Sequence, residues 1–323
     1  MSASNRGLVV ALSGGIGGAK LVCGLSRIVP ADDLMVIANT GDDFEHLGLA
    51  ISPDLDTVMY ALAGLQEEQR GWGRRDETWT FMAALAALNG ETWFQLGDSD
   101  LALHVERTRR LREGENLSSI TADFCRHLGV PARLVPMTDD KVRTRLDTET
   151  GWLAFQDYFV RRRCAPAVRE VRYEGAATAR PHSDVLAALG SPRLRAVVIC
   201  PSNPLLSIEP ILAVAGMREA IARCAAPVLA VSPIIGGRAV KGPTAKIMAE
   251  LGLPVSATAV AERYRDLLDG YVIDEADASG VHGFAFPVTI TRTLMRTPED
   301  QDGLARHVLA RADALAKLSL IHI

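Results

Sequence analysis

The segment that most restricts the fold is a five-residue apolar run, LVVAL at 8–12. It ends in Ser13, Gly14, Gly15, Ile16, Gly17, Gly18, Ala19 and Lys20 and passes into a helix-like stretch at 19–29. A short continuous apolar run bounded by glycine suits a strand buried on both faces. A second run, LMVIA at 34–38, follows the helix, and strand, helix, strand is a βαβ unit. Runs at 196–200, 228–231 and 271–273 repeat the theme, separated by helix-like stretches. The expectation is an α/β chain with a doubly wound, mostly parallel, Rossmann-like sheet.

Between about 60 and 190 the pattern changes. Stretches at 77–89, 101–111 and 117–128 have helical periodicity, and 142–146, a turn at 148–151 and 152–155 read as a hairpin. The chain is read as a single α/β domain over 1–323, with 60–190 an inserted cap of helices and a hairpin. The alanine-rich stretch 299–318 is expected to be a helix covering the sheet. Residues 71–75 have loop composition, and Arg161, Arg162 and Arg163 form a basic triplet that reads first as solvated surface.

Composition excludes several classes. A formal net charge of -4 provides no field for a polyanion, and 5% aromatic residues are too few for an extended base-stacking platform. No apolar run approaches the roughly 20 residues that span a bilayer. Neither nucleic acid nor a membrane is expected as a partner. The polar start at 1–7 lacks the charged and apolar regions of a leader, and five scattered cysteines without a C-x-x-C pair argue against a disulfide framework. Both point to the cytoplasm and reduced, mostly buried thiols. Seven histidines without H-x-x-x-H spacing leave carboxylates as the expected metal ligands.

The glycine turn admits two readings. Glycines let backbone approach a phosphate at a helix N-terminus, or they allow tight packing of turn against sheet. Its spacing is neither G-x-x-x-x-G-K-[ST] nor G-x-G-x-x-G. After the second strand come Asn39, Thr40, Gly41, Asp42 and Asp43, and Ser52 and Pro53 then open a helix with Asp54 and Asp56 in its first turn. Acidic first-turn residues complement the helix dipole, but four carboxylates on two neighbouring loops exceed what capping needs and suit Mg²⁺ beside substrate phosphates. Asp98 or Ser99 is expected to cap the helix that follows. Strand-end turns carrying Ser202, Asn203, Ser232, Gly236 and Lys241 fall where open α/β sheets bind ligands and describe a crevice for a nucleotide diphosphate with Gly14, Gly15 and Gly17.

Taken in order, SGGIGGAKL, NTGDD, ISPDLDT, LGDSD, FQDYF, PSNP and SPIIGGRAVKGP resemble the 2-phospho-L-lactate transferase family (CofD, FbiA in mycobacteria) of coenzyme F420 biosynthesis, from residue 8 to beyond 274. The resemblance implies transfer of a phospho-linked three-carbon acid from a guanosine diphosphate conjugate to the ribityl hydroxyl of 7,8-didemethyl-8-hydroxy-5-deazariboflavin (Fo), with release of GMP, Mg²⁺ dependence and a homodimer. It assigns Fo contacts to Asp56 and to Gln95, which stands where archaeal members carry lysine. Asp42, Asp43 and Asp54 are then the metal candidates, and Asp56 and Asp54 the catalytic ones, with Asp56 orienting or deprotonating the hydroxyl. The acid is 2-phospho-L-lactate, phosphoenolpyruvate or 3-phosphoglycerate; thirty arginines against five lysines suggest a GC-rich bacterial source and favour phosphoenolpyruvate. The alternative is a nucleotide- or sugar-phosphate-binding regulator on the same fold. An NAD(P) oxidoreductase is disfavoured, because Asn39 stands where a ribose-binding carboxylate belongs.

Overall fold

The first apolar run forms strand β1 (Leu8–Ser13), which leads into helix α1 (Gly15–Ile28) and strand β2 (Leu34–Ala38). The computed structural model describes residues 7–67, 72–240, 242–280 and 284–321. A small hairpin, β3 (Phe44–His46) and β4 (Leu49–Ile51), carries the chain from β2 to α2 (Pro53–Leu62). Helices α3 (Thr80–Ala87), α4 (Asp98–Arg112) and α5 (Leu117–His127) precede β5 (Arg133–Pro136). A separate antiparallel sheet follows, β6 (Arg143–Thr148), β7 (Gly151–Ala154) and β8 (Val168–Glu174) in the order β7-β6-β8. The second half runs α6 (Ser183–Leu189), β9 (Leu194–Ile199), α7 (Glu209–Ala213), α8 (Met217–Ala222) and β10 (Val228–Val231). It continues through the hairpin β11 (Ile234–Ile235) and β12 (Arg238–Ala239), α9 (Thr244–Glu250), α10 (Ala257–Glu262), β13 (Gly270–Ile273), β14 (Val288–Ile290) and α11 (Pro298–Ile321).

The central sheet has seven parallel strands in the order β14-β13-β10-β9-β1-β2-β5. Because side chains alternate across a strand, β1 sends Val10 and Leu12 to one face and Val9 and Ala11 to the other. The first face is covered by α6 to α10 and the small antiparallel sheet, through residues such as Val185, Ile211, Ile247 and Leu146. The second is covered by α1, α2, α5 and α11, through Leu21, Val58, Cys125 and Val308. Burial on both faces is why the strands read as unbroken apolar runs. A Cβ on Gly24 would overlap the Gln301 carbonyl oxygen, so this glycine sets how closely α1 and α11 pack.

The α/β expectation is borne out, with particular differences. Helix α1 begins at Gly15 rather than at 19, so the glycine segment is its first turn. The stretch 60–190 supplies β5, an edge strand of the central sheet, besides α3 to α5 and the β6–β7 hairpin. All five cysteines are unpaired, but only Cys125 and Cys200 are buried. Among the described residues no helix is long and apolar enough to cross a membrane.

Candidate active site

The chain winds from β1 to β2 in one direction and from β9 to β10 in the other, so the order reverses between β1 and β9. A crevice outside the carboxyl ends of these two strands is the ligand position for such a sheet. Here the Gly14 amide donates to the Ser202 hydroxyl at 3.2 Å, and the Gly15 amide donates to Asp54 Oδ1 at 2.6 Å. Gly15 has φ +61°, which favours glycine. A Cβ on Gly14 would overlap the Asp54 carboxylate, one on Gly17 the Pro201 carbonyl oxygen and one on Gly18 the Ser13 and Ser202 hydroxyls. Close packing therefore explains Gly17 and Gly18, while the N-terminal amide of Gly15 already holds an anion, the carboxylate of Asp54. Gly17→Ala is expected to push the β9 end off α1 at a cost of about 1–3 kcal/mol, read as a lowered urea midpoint.

Asn39, fully buried at the end of β2, is the hub. Its Nδ2 donates to Asp42 Oδ1 at 3.0 Å, Asp54 Oδ2 at 2.9 Å and the Leu206 carbonyl at 3.2 Å, and its Oδ1 accepts from the Gly41 amide at 2.7 Å. Burial raises the Asp42 carboxyl well above its usual range, and the charges of Asp54 and Asp43 add to this. Burial pushes Asp43 up to about 7, opposed by Arg143 and the Ser52 hydroxyl. It also raises Asp54, opposed by its bonds from Asn39, Gly15 and Ser207. Ser52 stands at the N-cap of α2, but its hydroxyl donates to Asp43 Oδ2 at 2.8 Å instead of capping the helix. Ser13 Oγ, Thr40 Oγ1, Asp43 Oδ1 and Thr144 Oγ1 are buried without hydrogen-bond partners. Each such atom costs about 1–3 kcal/mol, and the first three lie at or just beyond the carboxyl ends of β1 and β2.

Asp42, Asp43 and Asp54 do not bring one ligand atom each within 4.8 Å of one another. Among the described residues the grouping that does is Asp56, Asp100 and His104. One of its carboxylates, Asp56, already holds a cation. Arg107, 1% exposed, donates to both oxygens of Asp56, at 3.0 Å from Nη1 to Oδ2 and more closely from Nη2 to Oδ1. Burial opposes the Arg107 charge, but Asp56 outweighs it and the guanidinium is held protonated. His104 lies 3.3 Å from Asp100, which also accepts from the Tyr60 hydroxyl at 2.6 Å. Burial pushes Asp100 up, yet His104 and Tyr60 together hold it below the usual carboxylate range. Asp56, expected to orient or deprotonate the acceptor hydroxyl, is thus held in a fork–fork pair with Arg107. Sequence reasoning missed Asn39 as a hub and Arg107 altogether.

Other expected residues fall elsewhere. Asp98 caps the preceding helix instead of its own: its carboxylate accepts from the Thr80 and Phe81 amides at the start of α3. Glu77 reciprocates by accepting from the Ser99 and Asp100 amides of α4. Gln95 is exposed and donates to the Thr92 carbonyl at 2.7 Å, with no bond to the aspartates. Asn203 Oδ1 accepts from the Leu205 and Leu206 amides, capping the turn after β9. Ser232 Oγ closes its own turn on Ile234. The Gly236 and Gly237 amides donate to the Asp277 carboxylate at 2.9 and 3.1 Å. Lys241 lies outside the described residues. The Gly236 nest, expected to face a nucleotide, therefore holds an internal anion. Asp277→Ala is expected to free both amides for an anion from solution and tighten inorganic phosphate binding by up to about tenfold, read by calorimetry.

A parallel sheet with polar groups gathered outside the carboxyl ends of its strands at the switch point places a ligand site there. The comparisons give the class: the sequence profile of 2-phospho-L-lactate transferase CofD matches residues 9–283. The chain belongs to this family of transferases of coenzyme F420 biosynthesis. It is 42% identical over 314 residues to a phosphoenolpyruvate transferase of Streptomyces coelicolor, covering 94% of this chain and 98% of that one. It is 37% identical over 305 residues to a 2-phospho-L-lactate transferase of Methanococcoides burtonii, with the same coverage. In fold it is similar to a solved UPF0052-family protein of Bacillus halodurans, with TM-score 0.60 and 14% identity over 94% of this chain and 99% of that one.

Proposed function

We propose that the protein transfers a phospho-linked three-carbon acid from its guanosine diphosphate conjugate to the ribityl hydroxyl of Fo, releasing GMP and giving F420-0 or its dehydro form. The hydroxyl oxygen forms a bond to the phosphorus that bears the acid. The bond from that phosphorus to the bridging oxygen breaks, and GMP leaves with this oxygen while the hydroxyl proton passes to a base. The observation that carries the reading is the Asp42–Asn39–Asp54 grouping, which meets the glycine turn through Gly15 at the switch point. Phosphoenolpyruvate is the favoured acid, because relatives carrying that name stand at 42–44% identity and those named for 2-phospho-L-lactate at 37%.

A magnesium ion fits this grouping as a partner of one or two carboxylates rather than of a closed cage. Asp42 and Asp54 flank one amide nitrogen, both are desolvated, and Asp43 keeps an unpartnered oxygen. When bound there, Mg²⁺ supplies positive charge against the diphosphate oxygens. In this reading Asp42 and Asp54 hold it, with Asp43 beside them, and Asn39 keeps the two carboxylates in place. Gly14, Gly15, Gly17, Ser202, Asn203, Ser232 and Gly236 border the nucleotide. Asp54 remains a catalytic candidate through the charge it presents. Asp56, forked by Arg107, acts by orienting the acceptor side, with Gln95 at its exposed rim.

The test is a titration with Fo and Mg²⁺ followed by deazaflavin fluorescence, then each guanosine conjugate with mass analysis of the product. Saturable Fo binding and a donor-dependent mass gain support the transferase and name its acid. Absence of Fo binding with GDP or GMP binding retained moves the protein to a nucleotide-binding regulator. The same reading carries a homodimer, which light scattering checks against the mass of one chain.

A further inference from the structure

A cleft of about 760 Å³ opens beside β3, which follows the loop that carries Asp42 and Asp43. Phe44 and Glu45, the next two residues, line it, and Arg143 in its wall is close enough for its charge to oppose the raised carboxyls of both aspartates. Its volume is in the range of sites for drug-sized ligands, much more than a three-carbon acid needs.

Two features of the lining are independent of each other. The first is an aromatic wall: Phe44 and Trp93 have ring centroids 6.0 Å apart, and Trp93 is propped edge-on by His46 at 5.0 Å. The Arg161 guanidinium sits 5.4 Å from the Trp93 ring centre, so this indole already holds a flat cation in the way it would hold a flat ring. The second is a row of like charges. Lys141, Arg143 and Arg145 alternate with buried Val142, Thr144 and Leu146, so the strand period puts all three cations on the outer face. Arg145 is 3.7 Å from Glu174, and Arg162 is paired with Asp157 at 3.1 Å. Arg143 and Lys141 have no ion pair among the described residues, and Arg143 Nη1 is anchored on the Val142 carbonyl at 2.6 Å. Like charges on one strand face repel, and an anionic ligand relieves the repulsion.

We propose that this cleft binds a flat fused-ring ligand bearing an anionic tail, with the ring against Trp93 and Phe44 and the tail on Arg143 and Lys141. Resting on the transferase reading, that ligand is the product, the acceptor ring carrying its newly attached acidic phosphodiester. The cleft then holds product more tightly than the acceptor, which lacks the phosphodiester charge.

The experiment compares ring ligands with and without the charge by fluorescence titration of the full chain. Fo is set against the phosphodiester product, and riboflavin against riboflavin 5′-phosphate as probes that presuppose no reaction. The charged member of a pair is expected to bind about tenfold more tightly at low salt, with the gap shrinking as salt rises. In Arg143→Gln with Lys141→Gln, two positions outside the buried core, the gap is expected to close while a cooperative thermal transition is retained. Trp93→Ala is expected to weaken both members alike. Equal affinities in the wild type, or a gap that survives the double variant, overturn the proposal. Selectivity for riboflavin 5′-phosphate without binding of either deazaflavin upholds the cleft and removes the transferase reading. Fo binding and turnover without charge selectivity do the reverse.

Discussion

Arg107→Ala is expected to destabilise the protein by about 3–5 kcal/mol, the cost of leaving one partner of a buried ion pair uncompensated. The alanine removes both donors from Asp56, a carboxylate 5% exposed that is also 3.7 Å from His104. The bared carboxylate then has to admit water, and the first turn of α2 loses its anchor on α4. Because Asp54 lies on the same turn, its bond to the Gly15 amide is expected to weaken, and turnover with it. A paired replacement, Asp56→Leu with Arg107→Met, removes both charges and is expected to recover most of the loss, since apolar residues of similar volume often match a buried pair. Urea melts of the three proteins check this. Were Arg107→Ala as stable as the wild type, the pair would carry no structural role. Asp56→Asn keeps an acceptor oxygen for Arg107 and is expected to fold. A sharp fall in its turnover with GDP binding intact assigns Asp56 to the acceptor side.

The strands that hold this site were legible because burial on both faces writes them as uninterrupted apolar runs, as in β1, β2, β9, β10 and β13. Strand β5 escaped because it has four residues, opens on Arg133 and closes on Pro136. The start of α1 was misplaced for a physical reason. Helix propensity penalises glycine, yet contact with Pro201, Ser202 and Asp54 leaves no space for a Cβ there. At the site, the density of carboxylates after β2 was visible, but their pairing was not. Asn39 looked like an ordinary strand end, and its three acceptors come from separate segments. Arg107 carried a signal that went unread: Asp100, His104 and Arg107 stand at i, i+4 and i+7 on one face of α4, a polar stripe that points inward. The contact of Gly236 with Asp277 joins residues 41 apart and has no local trace.

The second large effect is a reversal of pH dependence by divalent cation. Asp42, Asp43 and Asp54 are raised above the ordinary 3.8 by burial, Asp43 to about 7. The folded chain therefore keeps protons that the unfolded chain releases. Their contribution to stability is complete below about pH 4 and is lost as pH rises through the folded values. His46, lowered by burial from 6.5, acts in the opposite sense below that value. Asp100 and Asp274, held below 3.8, change only in more acid solution. The window to read is thus about pH 6.5 to 8, which spans the Asp43 value near 7 and across which the metal-free protein is expected to lose stability. Mg²⁺ binds ionised carboxylates, so the stabilisation it adds is expected to grow with pH, reaching about 2.7 kcal/mol when its concentration is a hundred times Kd. Asp54→Asn is expected to abolish the Mg²⁺ increment and lower turnover by about 10²–10³-fold. Urea midpoints at pH 6.5 and 8, with and without Mg²⁺, test the whole chain of reasoning. An increment equal at both pH values, or one that survives Asp54→Asn, would place the metal away from the Asp42–Asn39–Asp54 grouping and remove the charge that the transfer is proposed to use.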